Sequence, residues 1–464
     1  MNRILKLFAG LAGLLMLGAA PPGAAVLEDC AIPDLPEKAR CGHFEVPENP
    51  DRPDGRRISI AVAVIPATGG EAKKDPIVVL NGGPGEETIA TASYYVEQFR
   101  ELRSDRDLLF VDQRGTGQSA SLRCDLYSDA EKSENLRHFL VPASVERCRK
   151  SLESRADLTQ YSYLNFARDL EHVRRELGYG PMNLFAGSYG TRAAQHFLRA
   201  YPASVRTAYL GSTVPVDVAI PLPLAKAAQG ALEKTFEACD AEPACHAAFP
   251  DPRGDFRRAL ALTDGKALSR GRFAEWVRSR LYRPFMAVEL PAYFHEAATG
   301  DFSGLSDAVL ESARSRDTAL SFGLLFSITC SDDIPFIRED EIAPATAGTF
   351  LGDYRVREQQ AACRAWPRAA VPTDLRAPVH SNVPTLFVSG DSDPATPVWF
   401  NARVAPNFPN RAEVVVAGHG HTEWNECIST LYIRLVRSGS VEELRGATCP
   451  TVPWPPFVIE LPDR

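Results

Sequence analysis

The chain has 464 residues, 45% of them hydrophobic and 24% charged, enough apolar material for one large domain carrying a substantial insertion. Its 51 basic residues against 59 acidic ones leave a net charge of −8, with no basic block or arginine-rich stripe, so nucleic acid is not an expected partner. It shows no internal repeat and no long low-complexity segment.

Residues 1–25 read as a secretory signal: Arg3 and Lys6 form a positive start, Leu7 to Leu17 an apolar run, and Gly23-Ala24-Ala25 a small-residue cleavage site. The apolar run is too short for a stable transmembrane helix, and Leu27-Glu28-Asp29-Cys30 is a poor lipobox. The expectation is an exported protein, periplasmic or secreted, without a stable membrane anchor. Export permits disulfides, and the 10 cysteines are even in number. If each pairs with its near neighbour along the chain, the bridges are Cys30–Cys41, Cys124–Cys148, Cys239–Cys245, Cys330–Cys363 and Cys427–Cys449. The cysteines lack C-x-x-C spacing and an accompanying histidine cluster, so no metal site and no cofactor are expected.

Alternation from Ser59 to Ile65 predicts a strand. Pro76 to Leu80 is a continuous apolar run of the kind buried on both faces of a parallel sheet, and it ends in the loop Asn81-Gly82-Gly83-Pro84-Gly85. Leu108 to Val111 is a further buried strand, running into Asp112-Gln113-Arg114-Gly115-Thr116-Gly117-Gln118-Ser119. A helix is expected from about 165 to 177, a strand at 182–186, a helix to Ala200 and a short strand at 208–210. Strands alternating with helices imply a parallel, helix-covered sheet. From about 215 to 377 helical periodicity takes over, which reads as a helical cap inserted into the sheet domain. The expected division is therefore 1–25 signal, 26–214 first part of the core, 215–377 cap and 378–464 second part of the core. The sheet resumes at Thr385–Val388 and Glu413–Val416, each followed at once by polar, glycine-rich residues.

The stretch Asn183-Leu184-Phe185-Ala186-Gly187-Ser188-Tyr189-Gly190-Thr191 carries the chemistry. Strand, sharp turn and helix with a serine at the apex is the context of a nucleophile elbow, although alanine stands where the first glycine of G-x-S-x-G is usual. The plainer alternative is a serine N-cap opening an ordinary helix. A serine hydroxyl needs a neighbouring base, and the base an orienting acid. In the chain order serine, acid, histidine, the candidates left are Asp391 or Asp393 and His419 or His421.

With these motifs the chain resembles the secreted tripeptidyl and prolyl aminopeptidase group of the α/β-hydrolases, serine peptidases that include proline iminopeptidases. The resemblance rests on NGGPG at 81–85, DQRGTGQS at 112–119, AGSYGT at 186–191, GDSDPATP at 390–397 and GHGH at 418–421, with a TAP-like tail around Cys427 and Cys449. It implies an α/β-hydrolase fold with an inserted cap, Ser188 as nucleophile, Asp393 as acid and His421 as base. It also implies an oxyanion hole from the N–H groups of Tyr189 and Gly83. Arg114 is expected to tie loops together. Two departures concern the substrate's amine: the family's glutamate beside the cap cysteine is replaced by Asp332 in Cys330-Ser331-Asp332-Asp333, and Glu86 and Glu87 directly follow NGGPG. These three acids are the candidate amine ligands, the glutamates alternatively being a solvated turn. The implied function is an exopeptidase acting on peptides. The alternatives are a carboxylesterase acting on small esters or lactones, and a non-catalytic binding protein.

Overall fold

The computed structural model describes residues 27–461; the expected signal segment lies outside them. Nine strands form one sheet: β1 (Glu28–Cys30), β2 (Ala39–Pro47), β3 (Arg57–Ile65), β4 (Lys73–Leu80), β5 (Arg106–Val111), β6 (Met182–Gly187), β7 (Val205–Gly211), β8 (Thr385–Gly390) and β9 (Arg411–Val416). The spatial order is β1-β2-β3-β5-β4-β6-β7-β8-β9. The first four strands in that order pair antiparallel, and everything from β5 to β9 is parallel.

The central strands read as unbroken apolar runs because both faces are covered. Val78 and Leu80 of β4 enter one core with Leu184, Ala186 and the helix residues Phe166, Ala193 and Phe197. Ile77 and Val79, one residue out of phase, enter the other with Phe185, Tyr209, Val388 and the helix residues Ile428, Tyr432 and Leu435. This is the two-residue period of a strand with nowhere exposed. β1 and β2 escape the sequence pattern for the opposite reason. They are the antiparallel margin, and β2 (ARCGHFEVP) mixes polar residues with Gly42 and Pro47.

Between β7 and β8 every described element is helical. Much of this region packs around its own aromatic core of Phe236, Phe256, Phe273, Trp276 and Phe294. An exception is the helix Phe322–Asp332, whose Phe322, Leu324, Phe326 and Ile328 join the core of the sheet domain.

All ten cysteines lie in the five near-neighbour pairs at bonding distance, with Cα separations from 5.1 Å for Cys330–Cys363 to 5.8 Å for Cys30–Cys41. Cys427–Cys449 closes a loop of sequence separation 22 directly after the 418–421 segment. In the chain-entropy model such a loop contributes ~3 kcal/mol. The double variant Cys427→Ser/Cys449→Ser is therefore expected to lose about that much stability in denaturant unfolding. An unchanged midpoint would show that this bridge constrains nothing.

Candidate active site

The spatial order of the strands reverses at β4, which lies between β5 and β6. At such a switch point the loops leaving neighbouring strands diverge and open a crevice at their carboxyl ends. The loop after β4 holds NGGPG, and that after β6 holds Ser188. The loops after β8 and β9 hold Asp393 and His421.

Ser188 stands between β6 and the helix Tyr189–Ala200 with φ 54° and ψ −127°, a conformation that L-residues adopt only under strain. Its N–H donates to Gly211 O at 3.0 Å, tying the turn to β7. The turn closes because Gly190 has no side chain: a Cβ there would sit 2.0 Å from Leu80 O. Gly83, at φ +107°, supplies the corresponding left-handed turn in the loop after β4. Gly82 is close enough to Ser188 that a Cβ on it would meet Ser188 Cβ at 3.3 Å. Tyr189 opens the helix, so its N–H belongs to the first turn, whose donors have no partner within the helix. The Tyr189 hydroxyl accepts from Gln113 Nε2 at 2.8 Å, and the ring stacks on Tyr163.

Asp393 and His421 are brought together. His421 Nδ1 lies 2.8 Å from Asp393 Oδ2 and 3.0 Å from Oδ1. An ionised carboxylate only accepts, so Nδ1 carries the proton and Nε2 of the neutral ring is the acceptor. Four further donors converge on Asp393: the N–H groups of Ala395 and Thr396, both at 2.8 Å, Thr396 Oγ1 at 2.6 Å and Ser212 Oγ at 2.9 Å. Burial pushes this carboxyl up, but His421 and the Thr396 donors more than offset it and hold Asp393 well below the usual carboxylate range. Their neighbours do other things. Asp391 pairs with Lys234 of the helix Leu224–Ala241 at 2.5 Å and accepts from Gly418 N at 2.9 Å, whereas His419 Nε2 meets Asn425 Nδ2 at 3.1 Å.

Ser188, His421, Gly82, Gly83 and Glu86 line one cavity of about 1640 Å³ beneath the helical region. Tyr282 packs edge-on against the His421 ring at 4.9 Å, and its carbonyl accepts from His421 N at 2.8 Å. Arg283 donates to His421 O and to Thr422 Oγ1. No motif announced these two residues or Ser212, whereas Gln113 and Thr396 stand inside the DQRGTGQS and GDSDPATP stretches, where the pattern assigned them no role of their own.

Of the three candidate amine ligands only Glu86 lines the cavity. Its Oε2 accepts from Gly82 N at 3.1 Å. Glu86 is open to the cavity yet walled by protein, and this desolvation pushes its carboxyl up, against the opposing pull of Gly82 N–H, His421 and Arg283. Glu87 turns outward to Arg123 at 3.1 Å. Asp332 is buried at the end of its helix, with Oδ2 lacking a hydrogen-bond partner. Burial and neighbouring Asp333 push its carboxyl up to about 7, with Arg192 and Arg376 opposing. Asp333 itself pairs with Arg192 at 2.9 Å. Arg114 is fully buried and ties loops as expected, gripping Asp169 at 2.6 and 2.7 Å and donating to Glu48 O and Gln160 O. Among the described residues no group of histidine, cysteine or acid side chains is arranged to hold a metal, and no helix is long and apolar enough to cross a membrane.

A family model described as the alpha/beta hydrolase fold matches residues 75–244, and one described as TAP-like protein matches residues 348–449. Serine protease Hip1 of Mycobacterium tuberculosis strain H37Rv is 26% identical over 472 residues, which cover 89% of this chain and 88% of that protein. The tripeptidyl aminopeptidase of Streptomyces lividans is 28% identical over 204 residues, covering 40% of this chain and 38% of that one. Carboxylesterase B of Mycobacterium tuberculosis strain CDC 1551 is 24% identical over 451 residues, covering 87% and 85%. Together these matches support a serine hydrolase.

Proposed function

We propose that the chain, which belongs to the α/β hydrolases and carries a TAP-like C-terminal region, is an exported serine exopeptidase that releases residues from peptide N-termini through an acyl-enzyme on Ser188. The observation that carries this reading is the strained Ser188 sharing a cavity with His421, whose Nδ1 is held by Asp393. In the mechanism His421 Nε2 takes the Ser188 proton as Oγ attacks the peptide carbonyl. The oxyanion that forms is met by the N–H groups of Gly83 and Tyr189. His421 then returns the proton to the leaving amine, and water repeats the sequence on the acyl-enzyme. Losing one oxyanion donor typically costs ~3 kcal/mol of transition-state stabilisation. Residues 215–377 act as the cap over this chemistry. Export rests on the pattern of residues 1–25 and is supported by the paired cysteines.

Glu86 is the proposed ligand of the substrate's free ammonium, since it is the candidate acid that faces the cavity beside Ser188. A charge-assisted contact of this kind contributes ~1.5–3 kcal/mol. Glu86→Gln is therefore expected to lower kcat/KM for free-amine aminoacyl p-nitroanilides by roughly 10- to 100-fold and to spare the N-acetylated compounds. Asp332→Asn, away from the cavity lining, should leave that ratio alone. The sign with pH follows from the direction of the shift. A raised Glu86 loses its charge at a higher pH than an ordinary glutamate, so the preference for the free amine should fade as pH falls through that raised value. If wild type cleaves acetylated and free substrates equally well, the aminopeptidase reading fails and the esterase reading replaces it, tested with p-nitrophenyl acyl esters. A protein that takes up no fluorophosphonate probe would be the non-catalytic binder.

A further inference from the structure

The cavity wall opposite in charge to Glu86 is built from arginines. Arg316, from the helix Ser303–Ala319, and Arg355, from the helix Tyr354–Cys363, both line the cavity together with Phe139. Their guanidinium carbons each lie 3.9 Å from the centroid of the Phe139 ring. Both guanidinium groups thus pack against this one ring. Arg355 retains 12% side-chain exposure, while its Nε and Nη1 are buried without hydrogen-bond partners. Arg316 has a buried, unpartnered Nε and gives one hydrogen bond, to Phe139 O at 3.3 Å.

The surrounding charges do not balance. The buried Arg272 stands 5.9 Å from the same ring and donates to the carbonyls of Asn135 and Val309. Glu275 is taken by Arg278 at 2.6 Å and reaches Arg355 only at 3.9 Å. Glu358 is occupied by His138 and by Leu140 N. Asp317, next in the chain to Arg316, is held by Leu126 N at 2.8 Å. Four guanidinium groups, Arg272, Arg278, Arg316 and Arg355, thus stand near three carboxylates, Glu275, Glu358 and Asp317, and among the described residues only Arg278 has one of them as a close ion-pair partner. Glu311 also reaches the cavity but is exposed, and among the described residues neither arginine is ion-paired with it. Burial, together with the neighbouring arginines, pushes both Arg316 and Arg355 down from the ordinary guanidinium range, as expected of cations with too few counter-ions. An uncompensated buried cation is costly to a fold and is most readily understood where a ligand supplies the missing charge.

We infer that Arg316 and Arg355, packed against Phe139, form an anion subsite of the catalytic cavity that receives a carboxylate of the substrate, either its C-terminus or an acidic side chain. A guanidinium fork takes a carboxylate through two parallel hydrogen bonds, which Phe139 assists by fixing both planes. The subsite is tied to the reaction centre by short links. Arg316 reaches to 5.8 Å from the Phe322 ring, and Ser321, next in the chain, donates to Gly85 O of the NGGPG loop at 2.9 Å. Arg278 donates to the hydroxyl of Tyr282, the residue packed on His421. With Glu86 beside the nucleophile, the cavity would read a short peptide at both charged ends, so the inference rests on the serine-hydrolase reading of Ser188 and deepens it.

The test measures kcat/KM for three matched pairs in wild type, Arg355→Met and Arg316→Met. The pairs are a tetrapeptide with a free C-terminus against its amide, a glutamate-containing peptide against its glutamine counterpart, and mono-p-nitrophenyl glutarate against p-nitrophenyl butyrate. Wild type should prefer the carboxylate by about tenfold or more in at least one pair, and either substitution should bring that ratio close to one. Preference in the first pair identifies the C-terminus as the source, and preference in the second the side chain. Melting curves report whether each variant is folded, and the wild-type ratios stand without them. If no peptide is cleaved, the exopeptidase reading falls while the ester pair still decides the subsite. Wild-type ratios near one in every pair that turns over would overturn it.

Discussion

Ser188→Ala should abolish turnover and leave a stable protein. The loss expected for a hydrolase nucleophile is on the order of 10⁶-fold in kcat, because the covalent route disappears and only binding and oxyanion stabilisation remain. The fold should survive for a specific reason. Ser188 is held at φ 54° by the backbone bonds that its N–H makes to Gly211 and its carbonyl accepts from Thr191, and its hydroxyl is not part of either. Alanine keeps the Cβ and therefore the same conformational cost, so the melting temperature should barely move. Ser188→Gly provides the control in the other direction. Without a Cβ the left-handed turn is no longer strained, and this variant should be more stable than Ser188→Ala by ~1 kcal/mol while being equally inactive. Initial rates on a p-nitrophenyl ester, fluorophosphonate labelling and thermal melts read all three properties. Wild-type turnover in a folded Ser188→Ala protein would remove the serine mechanism altogether.

What could be read from the sequence depended on whether the backbone or the packing imposes the requirement. The turns after β4, β6, β8 and β9 are legible because each needs residues that few sequences supply by accident. Gly190 is required by the 2.0 Å approach of Leu80 O, and Gly390 by Gly420 O at 2.2 Å from where its Cβ would lie. The buried parallel strands are legible as apolar runs, since no face is left for polar residues. β1 and β2, with one face wet, are not. The supports of the site are also hidden. Ser212 reaches Asp393 across 181 positions and Arg283 reaches His421 across 138, so neither leaves a local pattern. The proposed amine ligand shows the same limit. Glu86 and Glu87 are adjacent and chemically identical on paper, and only the turn that points one at Ser188 and the other at Arg123 separates them. Asp332 resembles a family position by its neighbour Cys330, yet the helix Phe322–Asp332 is buried along its whole length, so the resemblance does not by itself say what the side chain faces.

Asp393→Asn and His421→Ala are expected to lower kcat by about 10⁴-fold or more, whereas Asp391→Asn and His419→Ala should leave it within an order of magnitude. Five hydrogen-bond donors converge on the Asp393 carboxylate, from His421, Ala395, Thr396 (two) and Ser212. An asparagine placed there turns one acceptor oxygen into an NH₂ that must face donors. If the NH₂ faces His421, the ring presents its Nδ1 lone pair and the proton moves to Nε2, where a base needs to be free. If it faces the Ala395 and Thr396 N–H groups, the turn that holds the carboxyl loses its anchor. Either way the base is disabled without any group touching the substrate having been removed. Asp391 has a different task. Its partners are Lys234 and Gly418 N, so Asp391→Asn loosens a contact between the helical region and the β9 loop and should appear as a modest loss of stability. His419 is buried against Asn425, and burial pushes its ring pKa down, so it stays neutral as a packing group, and His419→Ala leaves a small cavity. Measured side by side, kcat should therefore separate the four variants into two classes, the first pair slow and the second active, with melting temperature reporting that each is folded. A histidine or aspartate falling in the opposite class would move the acid or the base to the neighbouring position and, with it, the register of the whole site.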